Sequence, residues 1–274
     1  MSRFLDDMAR SSAARVQKAK QRESFAELER RARRTTAGAA LHLSPAGFDV
    51  IAELKLRSPA AGALGDAADD WLGRVAAYAR GGAAAVSVLT EPSRFDGSLE
   101  HLRQASQVLG PLGVPAMRKD FLVDPYQILE ARAAGAGGVL VILRMLGDER
   151  IAELLDAAAE HHLFVLLEAF DGADLETARR LLSSRGADET ILIGINSRDL
   201  QTLEVVQQRF SELAPLLPER SACVAESGVA TPSDALAMRQ LGYRLALIGT
   251  ALMSCDDPAV LLEEILDAAR TPRA

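Results

Sequence analysis

The chain has 274 residues, 49% of them apolar, and a formal charge of −7; one large domain or two small ones would fit, with a substantial core, and overall disorder is excluded. The acidic balance argues against a general nucleic-acid binder, which carries a basic face, but not against an anionic small molecule, because a few aimed cations outweigh net charge inside a cleft. No apolar run approaches the roughly 20 residues that span a bilayer, no apolar signal core follows the first ten residues, and Cys223 and Cys255 lack metal or CxxC spacing, which together point to a reducing cytoplasm without a membrane partner.

In the first 34 residues ten Lys or Arg stand against five Asp or Glu, with Phe4, Leu5, Met8, Val16, Phe25 and Leu28 at loosely helical spacing. This predicts two helices, ending before Pro45, in an N-terminal extension of residues 1–47 that docks on a domain and leaves its basic face solvated. The apolar stripe is too weak, and aromatics too few, for RNA or membrane binding.

From Asp49 onward one pattern repeats eight times. Short apolar segments at 49–54, 84–89, 114–118, 138–143, 164–168, 191–195, 222–226 and 245–249 read as buried strands. Amphipathic segments of helical length follow them at 67–80, 98–109, 125–134, 148–161, 173–184, 203–216, 232–241 and 257–270. Near-continuous apolar strands mean a parallel sheet covered on both faces. Eight such units over about 225 residues predict an α/β fold of the (β/α)8 TIM-barrel type. An open doubly wound sheet is the runner-up, and it lacks its GxGxxG turn. No linker interrupts the series, so residues 1–274 read as a single barrel domain carrying the extension.

In such a barrel the active site lies at the C-terminal ends of the strands. The first strand ends in Glu53 and Lys55, the third in Lys119 and the fifth in Glu168, while the sixth leads to Asn196 and Arg198 and the seventh to Glu226. Three cations and three carboxylates would therefore face one another around one mouth. Ser227-Gly228 and Gly249-Thr250 follow the last two strands, where barrels bind phosphate with backbone N–H groups. These residues point to a barrel enzyme acting on a phosphorylated small molecule. A lysine beside carboxylates can act as a proton donor or form a Schiff base, and sequence leaves both open. His42, His101, His161 and His162 all fall away from strand ends, so no metal site is expected.

The motifs IAELKLRSP (51–59), SVLTEPSRFDGS (87–98), RKDFLVDPYQI (118–128), GINSRDL (194–200), VAESGV (224–229) and LIGTALM (247–253) resemble, in order, those of the indole-3-glycerol phosphate synthases. The resemblance runs from about residue 50 to the end, and the basic helical start is similar to the family's N-terminal extension. It implies a carboxy-lyase of tryptophan biosynthesis that closes 1-(2-carboxyphenylamino)-1-deoxyribulose 5-phosphate to indole-3-glycerol phosphate; no cofactor is expected, and the expected state is a monomer or weak homo-oligomer.

Carried over by motif, the resemblance gives Lys119 as the general acid at the ketone and Glu168 as the acid-base residue of the dehydration. Lys55 matches the lysine that holds the substrate carboxylate and acts as a second acid, with Glu53, Asn196 and Glu226 orienting these groups. Arg198 matches a residue serving the anionic substrate or the lysine network. Ser58, Ser227, Gly228, Gly249 and Thr250 match phosphate positions, and Pro59, Phe95, Phe121 and Leu140 match the pocket for the anthranilate ring. The chain departs from the family at Thr250 and Ser197, at Ala60 and Ala61, and at Phe170, where a more polar loop is expected.

Overall fold

The computed structural model describes residues 3–58, 62, 63, 70–183, 185, 186, 189–200 and 202–271, with Ser58 and Ala63 as backbone only. Two helices open the chain, α1 (Arg3–Arg22) and α2 (Phe25–Arg34). Ser24 separates them: its hydroxyl accepts from the Glu27 N–H while the Glu27 carboxylate accepts from the Ser24 N–H, so two donors that a new helix leaves orphaned are satisfied reciprocally.

Eight parallel strands then close on one another: β1 (Asp49–Leu54), β2 (Ala85–Leu89), β3 (Ala116–Lys119), β4 (Gly138–Ile142), β5 (Phe164–Ala169), β6 (Ile191–Asn196), β7 (Cys223–Glu226) and β8 (Leu245–Ile248). Each pairs with its sequence neighbour and β8 returns to β1, which makes the TIM barrel the pattern implied. The helices around it are α3 (Trp71–Arg80), α4 (Pro92–Phe95), α5 (Leu99–Leu109), α6 (Pro125–Ala133), α7 (Asp148–Glu160), α8 (Gly172–Leu182), α9 (Gln208–Leu213), α10 (Pro232–Gln240), α11 (Thr250–Ser254) and α12 (Pro258–Arg270). Several begin where sequence chemistry dictates: Asp124, Thr231 and Asp257 each cap a helix whose first residue is proline.

Alternation along the strands builds two layers. Val50, Ala52, Val86, Val139, Val141, Leu167, Ile193 and Ile248 turn outward onto the helices. Ile51, Ala85, Met117, Leu140, Leu166, Val224 and Leu247 fill the interior, in one cluster with Leu5 and Met8 of α1. Of the N-terminal stripe, Phe4, Leu5 and Met8 land on the barrel interior's own apolar cluster, Val16 and Leu28 pack with Tyr126 and Leu129 of α6, and Phe25 is exposed.

One predicted helix begins late. Residues 203–207 are not helical; Arg198 and Val205 form an antiparallel bridge, the Asp199 N–H donates to Glu204 O at 2.8 Å, and Leu203 takes a left-handed φ of 63°. The reason is local: the Asp199 carboxylate accepts the Thr202 N–H at 3.0 Å, a side-chain bond that competes with helix formation. The short helices α4 and α11 were not legible as periodic segments. Among the described residues no helix is long and apolar enough to cross a membrane.

Candidate active site

At the end of β1, Glu53 and Lys55 lie two residues apart, which directs both side chains to the same side of the strand. The Glu53 carboxylate, 5% exposed, meets Lys119 Nζ at 3.1 Å through one oxygen and Lys55 Nζ at 3.2 Å through the other. Lys55 Nζ also donates to Thr250 Oγ1 at 3.0 Å, joining the first strand to the loop after the eighth. The space for this is left by Gly249: a Cβ there would sit 2.4 Å from Glu53 Oε1 and 3.1 Å from Lys55 Nζ.

The charges in this cluster hold one another. Burial alone would push the Glu53 carboxyl up, but Lys119 and then Lys55 outweigh it and bring it down to about 2. Burial alone would pull Lys119 down, yet Glu53, Glu168 and Glu226 hold it well above the ordinary lysine value. The surrounding carboxylates therefore favour Lys119 as an ammonium.

Across the mouth stand Glu168, Asn196 and Glu226, brought together by register: Glu168 pairs with Gly194, and Asn196 with Glu226. All three side chains are buried. Asn196 Nδ2 donates to Glu168 at 3.3 Å, and its Oδ1 accepts from the Ser227 hydroxyl at 3.0 Å. Both Glu226 oxygens are buried with no hydrogen-bond donor supplied by another protein group. Two buried carboxyls side by side oppose each other's ionisation. Burial, followed by the charge of Glu168, raises Glu226 well above the usual carboxylate range. Glu168 is also raised by burial, but Lys119, the adjoining Glu226 carboxyl and the Asn196 amide oppose the shift. Of the two, Glu226 is the carboxyl more strongly disfavoured as an anion.

Gly194 lies against the site and was not singled out from the sequence. A Cβ there would lie 1.9 Å from Glu226 Oε1 and 3.1 Å from Leu166 Cδ1. The first of these atoms ends a flexible side chain, so Gly194→Ala is expected to swing Glu226 away while the barrel stays folded. Turnover should fall by up to about 10²-fold, the scale of a small misplacement at a reacting centre; unchanged kinetics would show that Glu226 needs no fixed position. The usable signal was a glycine inside an apolar strand, which marks a close approach.

Glu53, Lys55, Lys119, Glu168, Asn196 and Glu226 line one cavity of about 320 Å³, a size suited to a small ligand. Phe95, Phe121 and Leu140 form an apolar side of the same cavity. Phe121 lies 6.3 Å from Phe95 between ring centroids and 5.8 Å from Phe4, whose ring meets it edge-on. Phe4 and Leu5 of α1 thereby enter the site, which helical spacing alone did not reveal. Leu200, Leu203 and Val205 enter it from the loop that replaces the expected helix start.

Ser227, Gly228, Gly249 and Thr250 stand at the cavity as expected. Ser227 and Gly228 both take left-handed backbone, with φ of 67° and 86°. Arg198 also lines the cavity, but its guanidinium donates to Leu203 O at 2.6 Å, and no ion pair joins it to the lysine cluster among the described residues. The Ser58 backbone pairs with Gly62 in a two-strand hairpin, and Pro59, Ala60 and Ala61 lie outside the described residues. Phe170, the departure expected to be polar, is buried under the Arg144 guanidinium, 4.5 Å from its ring centroid.

The family model for indole-3-glycerol phosphate synthase matches residues 5–265. An indole-3-glycerol phosphate synthase of Nocardioides sp. is 44% identical over 218 residues, covering 79% of each chain. One from Koribacter versatilis is 38% identical over 263 residues, covering 96% of this chain and 97% of its own. The crystal structure of 3-hexulose-6-phosphate synthase from Salmonella typhimurium superimposes with a TM-score of 0.63 at 12% identity, over 81% of this chain and 98% of that one, which shows shared fold alone.

Proposed function

The chain belongs to the indole-3-glycerol phosphate synthase family, and from that premise we propose how its mouth turns 1-(2-carboxyphenylamino)-1-deoxyribulose 5-phosphate into indole-3-glycerol phosphate, carbon dioxide and water. The anthranilate ring lies against Phe95, Phe121 and Leu140, and its carboxylate faces Lys55. Lys119 protonates the ketone oxygen as the ring carbon bearing the carboxylate attacks the ketone carbon, forming the new carbon–carbon bond. Loss of carbon dioxide returns the bonding pair to the ring. Lys55 then protonates the departing hydroxyl, which leaves as water, while Glu168 takes the proton from the neighbouring carbon to complete the indole.

The observation that carries this reading is the pair of ammonium groups on one buried carboxylate, with the carboxyls of Glu168 and Glu226 lining the same cavity. Acid and base are thus supplied on opposite sides of a single cavity before substrate arrives. Turnover of the carboxyphenylamino substrate, followed by indole fluorescence, tests it directly; a folded protein with no turnover would end the assignment.

The phosphate end is assigned to Ser227-Gly228 and Gly249-Thr250. Support comes from their place at the cavity and from α11, whose cap Gly249 has no side chain to occupy the first N–H groups. Thr250→Val is expected to raise KM several-fold and weaken inhibition by inorganic phosphate, with kcat changed much less. A loss confined to kcat would place Thr250 with the lysines and not with the phosphate. The same reading takes residues 1–47 as working with the barrel in one unit, supported by α1 at the cavity, and the setting as cytoplasmic, supported by the free thiols of Cys223 and Cys255.

A further inference from the structure

We propose that Arg15, on α1, is a positioning residue for catalysis: by gripping both oxygens of Asp120 it fixes the turn that carries Lys119 and Phe121, and so couples turnover to the docking of the N-terminal helix. The proposal rests on the reading of Lys119 as general acid. It begins from Asp120, next in the chain to Lys119 and 2% exposed. Its carboxylate accepts from Arg15 Nη1 at 2.9 Å and Nη2 at 2.7 Å, from the Thr90 hydroxyl at 2.9 Å, from Arg118 Nη2 at 3.1 Å and from the Phe121 N–H at 2.8 Å. The peptide beyond Lys119 is therefore held by the side chain of Asp120 itself. Phe121, on the far side of that peptide, is a wall of the cavity.

Arg118 is also buried, and it bonds Thr90 Oγ1 at 3.2 Å, Gln127 O at 2.8 Å and Glu130 at 3.0 Å besides Asp120. Arg118 and Thr90 both reach Oδ2 of Asp120. Oδ1, the oxygen that receives the Phe121 N–H, has Arg15 as its charged partner. Without Arg15 the carboxylate keeps a cation, so its burial stays tolerable, but it loses the two-pronged grip that sets its rotation. The consequence falls on the Phe121 peptide and on the direction in which Lys119 leaves β3, and a shift of about 1 Å there is enough to cost turnover.

The plainer alternative makes Arg15 one more anchor for α1. Two other contacts of that helix separate the cases: Lys20 grips Asp124 at 2.8 Å, and Ser12 accepts from Gln127 at 2.9 Å. Lys20 holds the same helix to the same loop without touching Asp120. The test compares Arg15→Met, Arg15→Lys and Lys20→Met in the full chain, measuring kcat, KM and thermal midpoint. Arg15→Met should lower kcat by about tenfold or more with a smaller change in KM. Arg15→Lys should fold and recover only part of the loss, because an ammonium lacks the fork that meets both oxygens. Lys20→Met should keep kcat.

Wild-type kcat in Arg15→Met, or in Arg15→Lys if the methionine variant fails to fold, would overturn the proposal. So would an equal loss of kcat in Lys20→Met, which would reduce Arg15 to an anchor. Failure of the underlying reading shows separately, as retained turnover in Lys119→Ala.

Discussion

Lys119→Ala is expected to lower turnover by about 10²- to 10⁴-fold, the usual contribution of a placed general acid, while the barrel remains folded. Folding is spared because Glu53, the buried carboxylate most dependent on that ammonium, keeps Lys55 at 3.2 Å. Chemistry is not spared, since Lys55 is tied to Thr250 on the other side of Glu53 and does not face the Glu168–Glu226 pair in the same way. Loss of the cation also removes the attraction that opposes burial at both of those carboxyls, so each is pushed further up. Lys119→Arg is no substitute, because a guanidinium does not give up its proton in proteins. Rapid-mixing indole fluorescence with circular dichroism on the same sample checks both halves of the expectation. Turnover near normal in the alanine variant would remove the general acid from the scheme. A Schiff base at Lys119 would need the neutral amine, which the neighbouring carboxylates oppose.

The lysine cluster was legible in the sequence because a parallel barrel brings every strand end to one rim, so counting strands was enough to place Glu53, Lys55, Lys119, Glu168 and Glu226 together. The pairing of Lys55 with Thr250 follows from closure, β8 against β1, and was implicit in the same count. What strand counting does not supply is register. Gly194 matters because it lies opposite Glu168 and under Glu226, and a one-residue slip would place it elsewhere. Nor does it supply the landing place of α1. Leu5, Met8 and Phe4 read as a weak amphipathic stripe whose partner could have been any apolar face, and Arg15 reads as one of ten basic residues until Asp120 is placed beneath it. Residues 203–207 were misjudged because apolar Leu203, Val205 and Val206 carry helical spacing, whereas Asp199 and Thr202 satisfy the backbone through their side chains.

Glu168→Gln is expected to cost a similar 10²- to 10⁴-fold in kcat, with structure retained because the amide oxygen still accepts from Asn196 Nδ2. Its interest lies in what it shares with Glu226. A base works only when unprotonated, so with Glu168 as the base its raised value is expected to set the acid limb of the pH profile, activity being lost as pH falls through it. A proton donated by Glu226 would favour the charged form of Glu168 and lower that limb. Removing the donor in Glu226→Leu should therefore move the limb to higher pH, whereas Glu226→Gln, whose amide still donates, should move it less. A limb that instead moved down in Glu226→Leu would mean that Glu226 repels a charge on its neighbour more than it donates to it. The proton would then reside on Glu168, and the base of the dehydration would have to be Glu226.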